Sequence, residues 1–163
     1  MRVFGITGWK NTGKTGLTER LVAEFSARGM TVSTLKHAHH SVDVDQAGTD
    51  SHRHRVAGAH QVLLASENRW ALMTEHRDTP EPSLEDLLMH MSPVDLVLIE
   101  GFKRAHQPKI ETHRAAAQQP LIAPTDNTIR AIATDTPLDI ERPQFDLNDT
   151  SAIADFILRE IAP

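Results

Sequence analysis

Apolar positions recur along this chain in alternating strand-like and helix-like periods. Residues 3–7 form a short β-branched and aromatic run ending at Gly8, which predicts a first strand. Leu17, Leu21, Val22 and Phe25 then share one helical face, and Gly29 marks the helix end. Residues 31–36 read as a second strand, so the opening segment forms a βαβ unit with a right-handed crossover. Residues 37–49 are polar and aperiodic, which predicts a functional loop. A short helix over 50–57 closes at Gly58, and the apolar runs 61–65 and 69–74 flank Ser66-Glu67-Asn68 as a hairpin. After a linker turn at 79–82, Ser83 is placed to cap a helix over 84–91.

The run 94–99 is almost continuously apolar, as a strand buried on both faces of a parallel sheet requires. Residues 109–112 are a candidate strand, and 115–127, rich in Ala, Gln and Pro, shows no assignable pattern. A strand over 129–134 and a helix over 150–161, with Ile153, Phe156, Ile157 and Ile161 inward, complete the chain. The order of elements predicts a single α/β domain over 1–163, a mostly parallel sheet with flanking helices and an added β-hairpin.

Composition narrows the partners. Seventeen basic residues against 22 acidic ones give a net charge of −5, which argues against a nucleic-acid surface. The absence of cysteine excludes disulfides and thiolate metal sites. No stretch approaches the ~20 apolar residues of a membrane span, and the first residues lack a signal-peptide pattern. The expectation is a cytoplasmic protein.

The candidate chemistry begins at Gly8-Trp9-Lys10-Asn11-Thr12-Gly13-Lys14-Thr15, which matches G-x-x-x-x-G-K-[ST] at every fixed position. Such a loop turns successive backbone N–H groups toward phosphate oxygens, and the following helix aims its positive dipole end at the same anion. Gly8, Asn11, Thr12, Gly13, Lys14, Thr15 and Gly16 are therefore the expected nucleotide contacts, with Lys14 on the β- and γ-phosphates and the Thr15 hydroxyl on Mg²⁺. The strand context before the loop and the amphipathic helix after it fit a P-loop NTPase. A second acidic group is needed at the end of another strand, and Glu100 supplies it. Asp95, at the start of that strand, is expected to be structural.

Lys36-His37-Ala38-His39-His40 follows the second strand, with Asp43 and Asp45 beyond it. A transition-metal site, a substrate-contacting loop and simple exposure are all open readings there. Asp43 or Asp45 is a candidate second carboxylate at Mg²⁺. Asp50 or Ser51 is expected to cap the short helix, while Arg53 and Arg55 offer a competing anion-binding face. Lys10 and Arg53 are cations without a motif-defined place. Thr134-Asp135, at the end of a strand, could present a carboxylate to guanine N1 and N2, or form a plain turn before Pro137.

Taken together, the phosphate loop, the His37 segment, Asp43-Val44-Asp45, Asp50-Ser51, Ala57-Gly58-Ala59, Arg69-Trp70-Ala71-Leu72-Met73-Thr74-Glu75 and Glu100-Gly101-Phe102-Lys103 resemble the molybdopterin-guanine dinucleotide biosynthesis adapter family, the MobB type. The resemblance runs through nearly the whole chain. It implies a dimeric GTP-binding protein with weak GTPase activity, Mg²⁺-dependent, that assists the molybdenum cofactor guanylyltransferase in joining GMP to molybdopterin. By transfer, Gly13, Lys14 and Thr15 bind phosphate and Mg²⁺, Glu100 sits at the Mg²⁺, Lys14 and Glu100 are the catalytic candidates, and the basic loop residues and Lys103 are candidate contacts for the anionic pterin or the partner. A small-molecule kinase using ATP and a metal-handling switch are the alternatives. Residues 107–127 do not look able to form their own core, so packing on a second subunit is expected of them.

Overall fold

Buried β-branched and leucine-rich segments meet at the centre of the main sheet. The computed structural model describes residues 1–38 and 43–162. Strand β1 (Arg2–Thr7) leads through the glycine loop into α1 (Lys14–Ala27) and then into β2 (Val32–Lys36). The 38–90 region carries α2 (Asp50–Val56), β3 (Gln61–Ala65), β4 (Trp70–Thr74) and α3 (Leu84–Met89). Then follow β5 (Leu96–Glu100), β6 (Lys109–His113), β7 (Ile129–Thr134), β8 (Gln144–Asp146) and α4 (Thr150–Glu160). The chain divides into two compact units, Met1–His37 with Met91–Pro163, and Ala38–His90.

The first unit contains a six-stranded sheet in the order β2-β5-β1-β6-β7-β8, and every pair is parallel. Strand β5 therefore lies between β1 and β2, which are not neighbours as a simple βαβ reading implies. The difference follows from polarity. The continuous apolar run of β5 is buried at every position, whereas Val32-Ser33-Thr34-Leu35-Lys36 alternates toward solvent and takes the edge. Asp95 is structural as expected: its carboxylate accepts from Thr31 N–H (2.8 Å) and Thr31 Oγ1 (2.7 Å), fastening β5 to the start of β2.

Helices α1 and α4 contribute to the principal core, where Leu17, Leu21, Phe25, Ile153 and Ile157 join Phe4, Ile6, Leu98 and Ile110 with no exposed surface. Truncating Phe25 to alanine there costs about 3–5 kcal/mol. A smaller cluster gathers Ala123, Ile129 and Ile132.

Strand β6 is a full member of the sheet and all five of its residues are buried. Lys-Ile-Glu-Thr-His does not look like a central strand, because two charged residues sit where apolar ones are expected. Each is satisfied by a specific loop. Lys109 Nζ donates to the carbonyls of Ala105 (2.6 Å) and Lys103 (3.3 Å) and to Thr128 Oγ1 (2.5 Å), with Asp126 at 3.5 Å. Glu111 accepts from the N–H groups of Ile122 (2.9 Å) and Ala123 (2.8 Å). Residues 107–127 are thus anchored within this unit by β6 and Ala123, which removes the reason for expecting them to need a second subunit. The short edge strand β8 has too few residues for any period to announce it.

The second unit is organised around Arg55. Its guanidinium meets Asp43 (2.8 Å), Asp45 (3.3 Å) and Glu75 (2.9 Å). That engagement takes Arg55 out of the anion-binding face considered from sequence. Thr49, not Asp50 or Ser51, caps α2 by accepting from His52 N–H. The capping box at the start of α3 is reciprocal between Ser83 and Asp86. Strands β3 and β4 pair antiparallel as the expected hairpin, with Leu63 opposite Leu72 and Ala65 opposite Trp70. Among the described residues no helix is long and apolar enough to cross a membrane.

Candidate functional site

The loop between β1 and α1 depends on residues that tolerate unusual backbone angles. Gly8 (φ 139°), Asn11 (φ 66°) and Gly13 (φ 102°) all have positive φ. Gly13 is the N-cap of α1 and no side chain caps the helix, so no side-chain acceptor meets its first-turn N–H groups. No acidic residue lies in that turn. An exposed, uncapped helix start with glycine before it attracts an anion.

The loop is fixed from inside. Thr12 is buried, donates to Trp9 O (2.8 Å) and shares a 2.8 Å hydrogen bond with Thr112 Oγ1 of β6. The Thr12 side chain therefore shapes the loop from inside the fold. Lys14 Nζ donates to Trp9 O (2.6 Å), and the Trp9 indole donates to Pro120 O (2.7 Å). Lys103 lies 3.8 Å from the centre of a Trp9 ring, a cation–π contact. Burial pushes the Lys14 ammonium below its ordinary pKa; Glu100 opposes this, and nearby Lys103 and Lys36 add to it. Three lysine ammonium groups thus gather around one carboxylate, Glu100.

Glu100 ends β5 directly beside the loop. The sheet register sets Ile6 and Lys36 on either side of it. Its Oε1 accepts from Thr15 Oγ1 (3.1 Å) and forms an ion pair with Lys36 Nζ (3.2 Å). Asn11, Gly13, Lys14, Thr15 and Gly16 line a cleft of about 420 Å³ together with Arg114, a residue that sequence reasoning did not single out. Its only sequence signal is position, at the carboxyl end of a parallel strand.

Each of the remaining candidates has its own surroundings. Asp135, at the end of β7, accepts from Ala115 N–H (3.0 Å). It lines a second cleft of about 310 Å³ with Thr134, Thr136, Pro137, Gln144, Phe145 and Asp146. Asp45 belongs to the second unit, where Ser51 Oγ (2.8 Å), Thr49 Oγ1 (3.2 Å) and Arg55 already engage its carboxylate. Arg53 pairs loosely with Asp50 at 3.8 Å, and Lys10 is exposed. The His37 ring stands 4.6 Å from that of Phe102, while His39 and His40 lie outside the described residues. Among the described residues no group of three or more His, Asp or Glu side chains is arranged to hold a metal.

A family profile described as molybdopterin guanine dinucleotide synthesis protein B matches residues 3–135. A molybdopterin-guanine dinucleotide biosynthesis adapter protein from Haemophilus influenzae is 46% identical over 158 residues, covering 95% of this chain and 86% of the relative. One of the same description from Escherichia coli is 40% identical over 159 residues, covering 96% and 91%. The crystal structure of a MobB homolog from Bacillus stearothermophilus matches with a TM-score of 0.71 and 28% identity, covering 99% of this chain and 98% of that one. These similarities extend well beyond the phosphate loop that many unrelated families share, and the chain belongs to the molybdopterin guanine dinucleotide synthesis protein B family.

Proposed function

We propose that this chain is a GTP-binding adapter in molybdopterin guanine dinucleotide biosynthesis, with weak GTPase activity of its own. The observation that carries the nucleotide reading is the 3.1 Å contact between Thr15 Oγ1 and Glu100 Oε1, at the mouth of an uncapped glycine loop. Mg²⁺ takes hard oxygen ligands at about 2.0–2.1 Å, so neighbouring ligands of an octahedral ion stand about 3 Å apart. Thr15 and Glu100 fit that donor set in kind and in spacing. Bound Mg²⁺ would supply charge neutralisation across the β- and γ-phosphates.

The chain's own groups do the rest in this reading. The amides from Asn11 to Gly16 and the start of α1 bind the phosphates. Lys14 leaves Trp9 O for the β- and γ-oxygens, and Lys36 holds Glu100 in place. Asp135 retains a carboxylate oxygen for the guanine edge while the other holds Ala115 N–H. Asp45 has no part in the proposed site, since its carboxylate is already engaged. In this reading none of the described residues serves as a hydrolytic base, and slow turnover is the expected behaviour.

The adapter part rests on the relatives, whose descriptions name that role. The partner is then the guanylyltransferase that joins GMP to molybdopterin. A second copy of the chain is the other proposed partner. Its support is the hairpin face carrying Leu63, Leu72 and Trp70, which remain 60%, 42% and 65% exposed.

The test is reconstitution with the purified guanylyltransferase, molybdopterin and limiting GTP. Dinucleotide formation should rise when the protein is added and should not rise with Lys14→Ala. An unchanged yield, or stoichiometric transfer of a γ-phosphate from ATP to a small metabolite, would refute the adapter reading.

A further inference from the structure

The charge that completes the phosphate cleft comes from a strand the motif does not include. Arg114 follows β6 in extended conformation, φ −133° and ψ 130°. The buried strand fixes where it begins, and Asp135 fixes the next residue by accepting from Ala115 N–H at 3.0 Å. Its guanidinium lies over Gly13: a Cβ built there would stand 3.2 Å from Arg114 Nε and 3.6 Å from Nη2. The lack of a side chain at Gly13 is thus what lets the guanidinium settle over the start of α1. Among the described residues the Arg114 guanidinium has no hydrogen-bond or ion-pair partner, yet Arg114 lines the same cleft as Lys14 and Thr15. Contrast Arg28 and Arg55, whose guanidinium groups are taken up by carboxylates.

We infer that Arg114 is a nucleotide-binding residue that holds the α-phosphate. The inference rests on the nucleotide reading above. The sheet order assigns the phosphate. Glu100 and Lys36 stand on the β5 side of β1, and Arg114 on the β6 side. Thr15 and Glu100 would hold Mg²⁺, which would neutralise charge at the β- and γ-phosphates on that side. The nucleoside end then leaves the loop toward β6 and β7, where the Asp135 cleft opens at the ends of β7 and β8. Arg114 stands on that route. A planar guanidinium there meets two phosphate oxygens at once, which an ammonium cannot do.

The α-phosphate is present in both GTP and GDP, so Arg114 contributes to both alike. The experiment is calorimetric titration of the full chain with GTP and GDP in Mg²⁺, comparing Arg114→Ala, Arg114→Lys and Lys14→Ala with the unmodified protein. Arg114→Ala should weaken both nucleotides by the same factor, about 10- to 100-fold for a lost charged hydrogen-bond pair. Arg114→Lys should recover part of that loss. The side chain is exposed, and coincident thermal melts establish that the variants fold.

A loss confined to GTP would place Arg114 at the γ-phosphate and overturn the assignment. Unchanged affinity in Arg114→Ala, with binding lost in Lys14→Ala, would overturn the inference and leave the nucleotide site standing. Unchanged affinity in Lys14→Ala would overturn both.

Discussion

Replacing Gly8 with alanine tests whether the loop's shape is set by the strand beneath it. Gly8 has φ 139°, and an added Cβ would stand 2.6 Å from Thr112 O, 2.6 Å from Thr112 Oγ1 and 2.7 Å from Thr12 Oγ1. Ordinary contact begins at 3.4 Å, so 3.4 − 2.6 gives a required displacement of 0.8 Å. Thr112 cannot supply it, because β6 is buried and paired with β1 and β7 on both sides. The loop must move instead, and with it the Thr12–Thr112 and Lys14–Trp9 hydrogen bonds. An amide placed about 2.9 Å from a phosphate oxygen and shifted by such an amount no longer makes a proper hydrogen bond. Losing one such charged bond costs about 1.5–3 kcal/mol, or roughly 10- to 100-fold in affinity.

The backbone conformation adds about 1–3 kcal/mol of lost stability. Gly29→Ala is the control: its φ is 82° but nothing lies within 4 Å of the new Cβ. That variant should lose about 1–2 kcal/mol of stability and no nucleotide affinity. Thermal melts and calorimetric titration with a guanine nucleotide read both effects. A Gly8→Ala protein that binds nucleotide as well as Gly29→Ala would refute the reasoning.

Further outcomes follow from the charges around the site. Burial lowers the Lys14 pKa in the free protein, and a bound phosphate restores it, so nucleotide binding in alkaline buffer should take up protons. Titration in buffers of different ionisation enthalpy measures this; affinity should fall as pH rises through the free-protein pKa, and a proton-neutral event would contradict the placement of Lys14. Burial raises the Glu111 pKa above its usual value, against the opposing hydrogen bonds from Ile122 and Ala123. A raised carboxyl pKa contributes stability that is present below the unfolded value and lost as pH rises through the folded one. Melting temperature against pH should therefore decline less steeply in Glu111→Gln, and parallel profiles would exclude Glu111 as the source. Asp135→Asn should weaken GTP more than ATP, as competition titrations would reveal; equal losses would reduce Asp135 to its structural bond with Ala115.

How far the molecule could be read from its sequence depended on the range over which each signal acts. The glycine loop, the apolar face of α1 and the run that became β5 are local patterns, and they predicted both the P-loop and the acidic strand end that meets it. The order of strands is a non-local outcome, and β5 displaced β2 from beside β1 because burial on two faces favours the more apolar strand. Strand β6 was legible only as a candidate over 109–112, because Lys109 and Glu111 interrupt its apolar pattern and their partners lie 4 to 19 residues away in loops that carry no pattern. Arg55 looked like a ligand-binding cation because its three carboxylate partners are spread from Asp43 to Glu75. Arg114 carried only the signal of its position after a candidate strand, which gained meaning once the sheet set β6 beside the phosphate loop.

The most direct test of the central claim is calorimetric titration with GTP and ATP, with and without Mg²⁺, of the unmodified chain and of Lys14→Ala. The account predicts Mg²⁺-dependent binding that favours GTP and disappears in the variant. Binding that ignores both Mg²⁺ and Lys14, or no guanine-nucleotide binding at all, would contradict it.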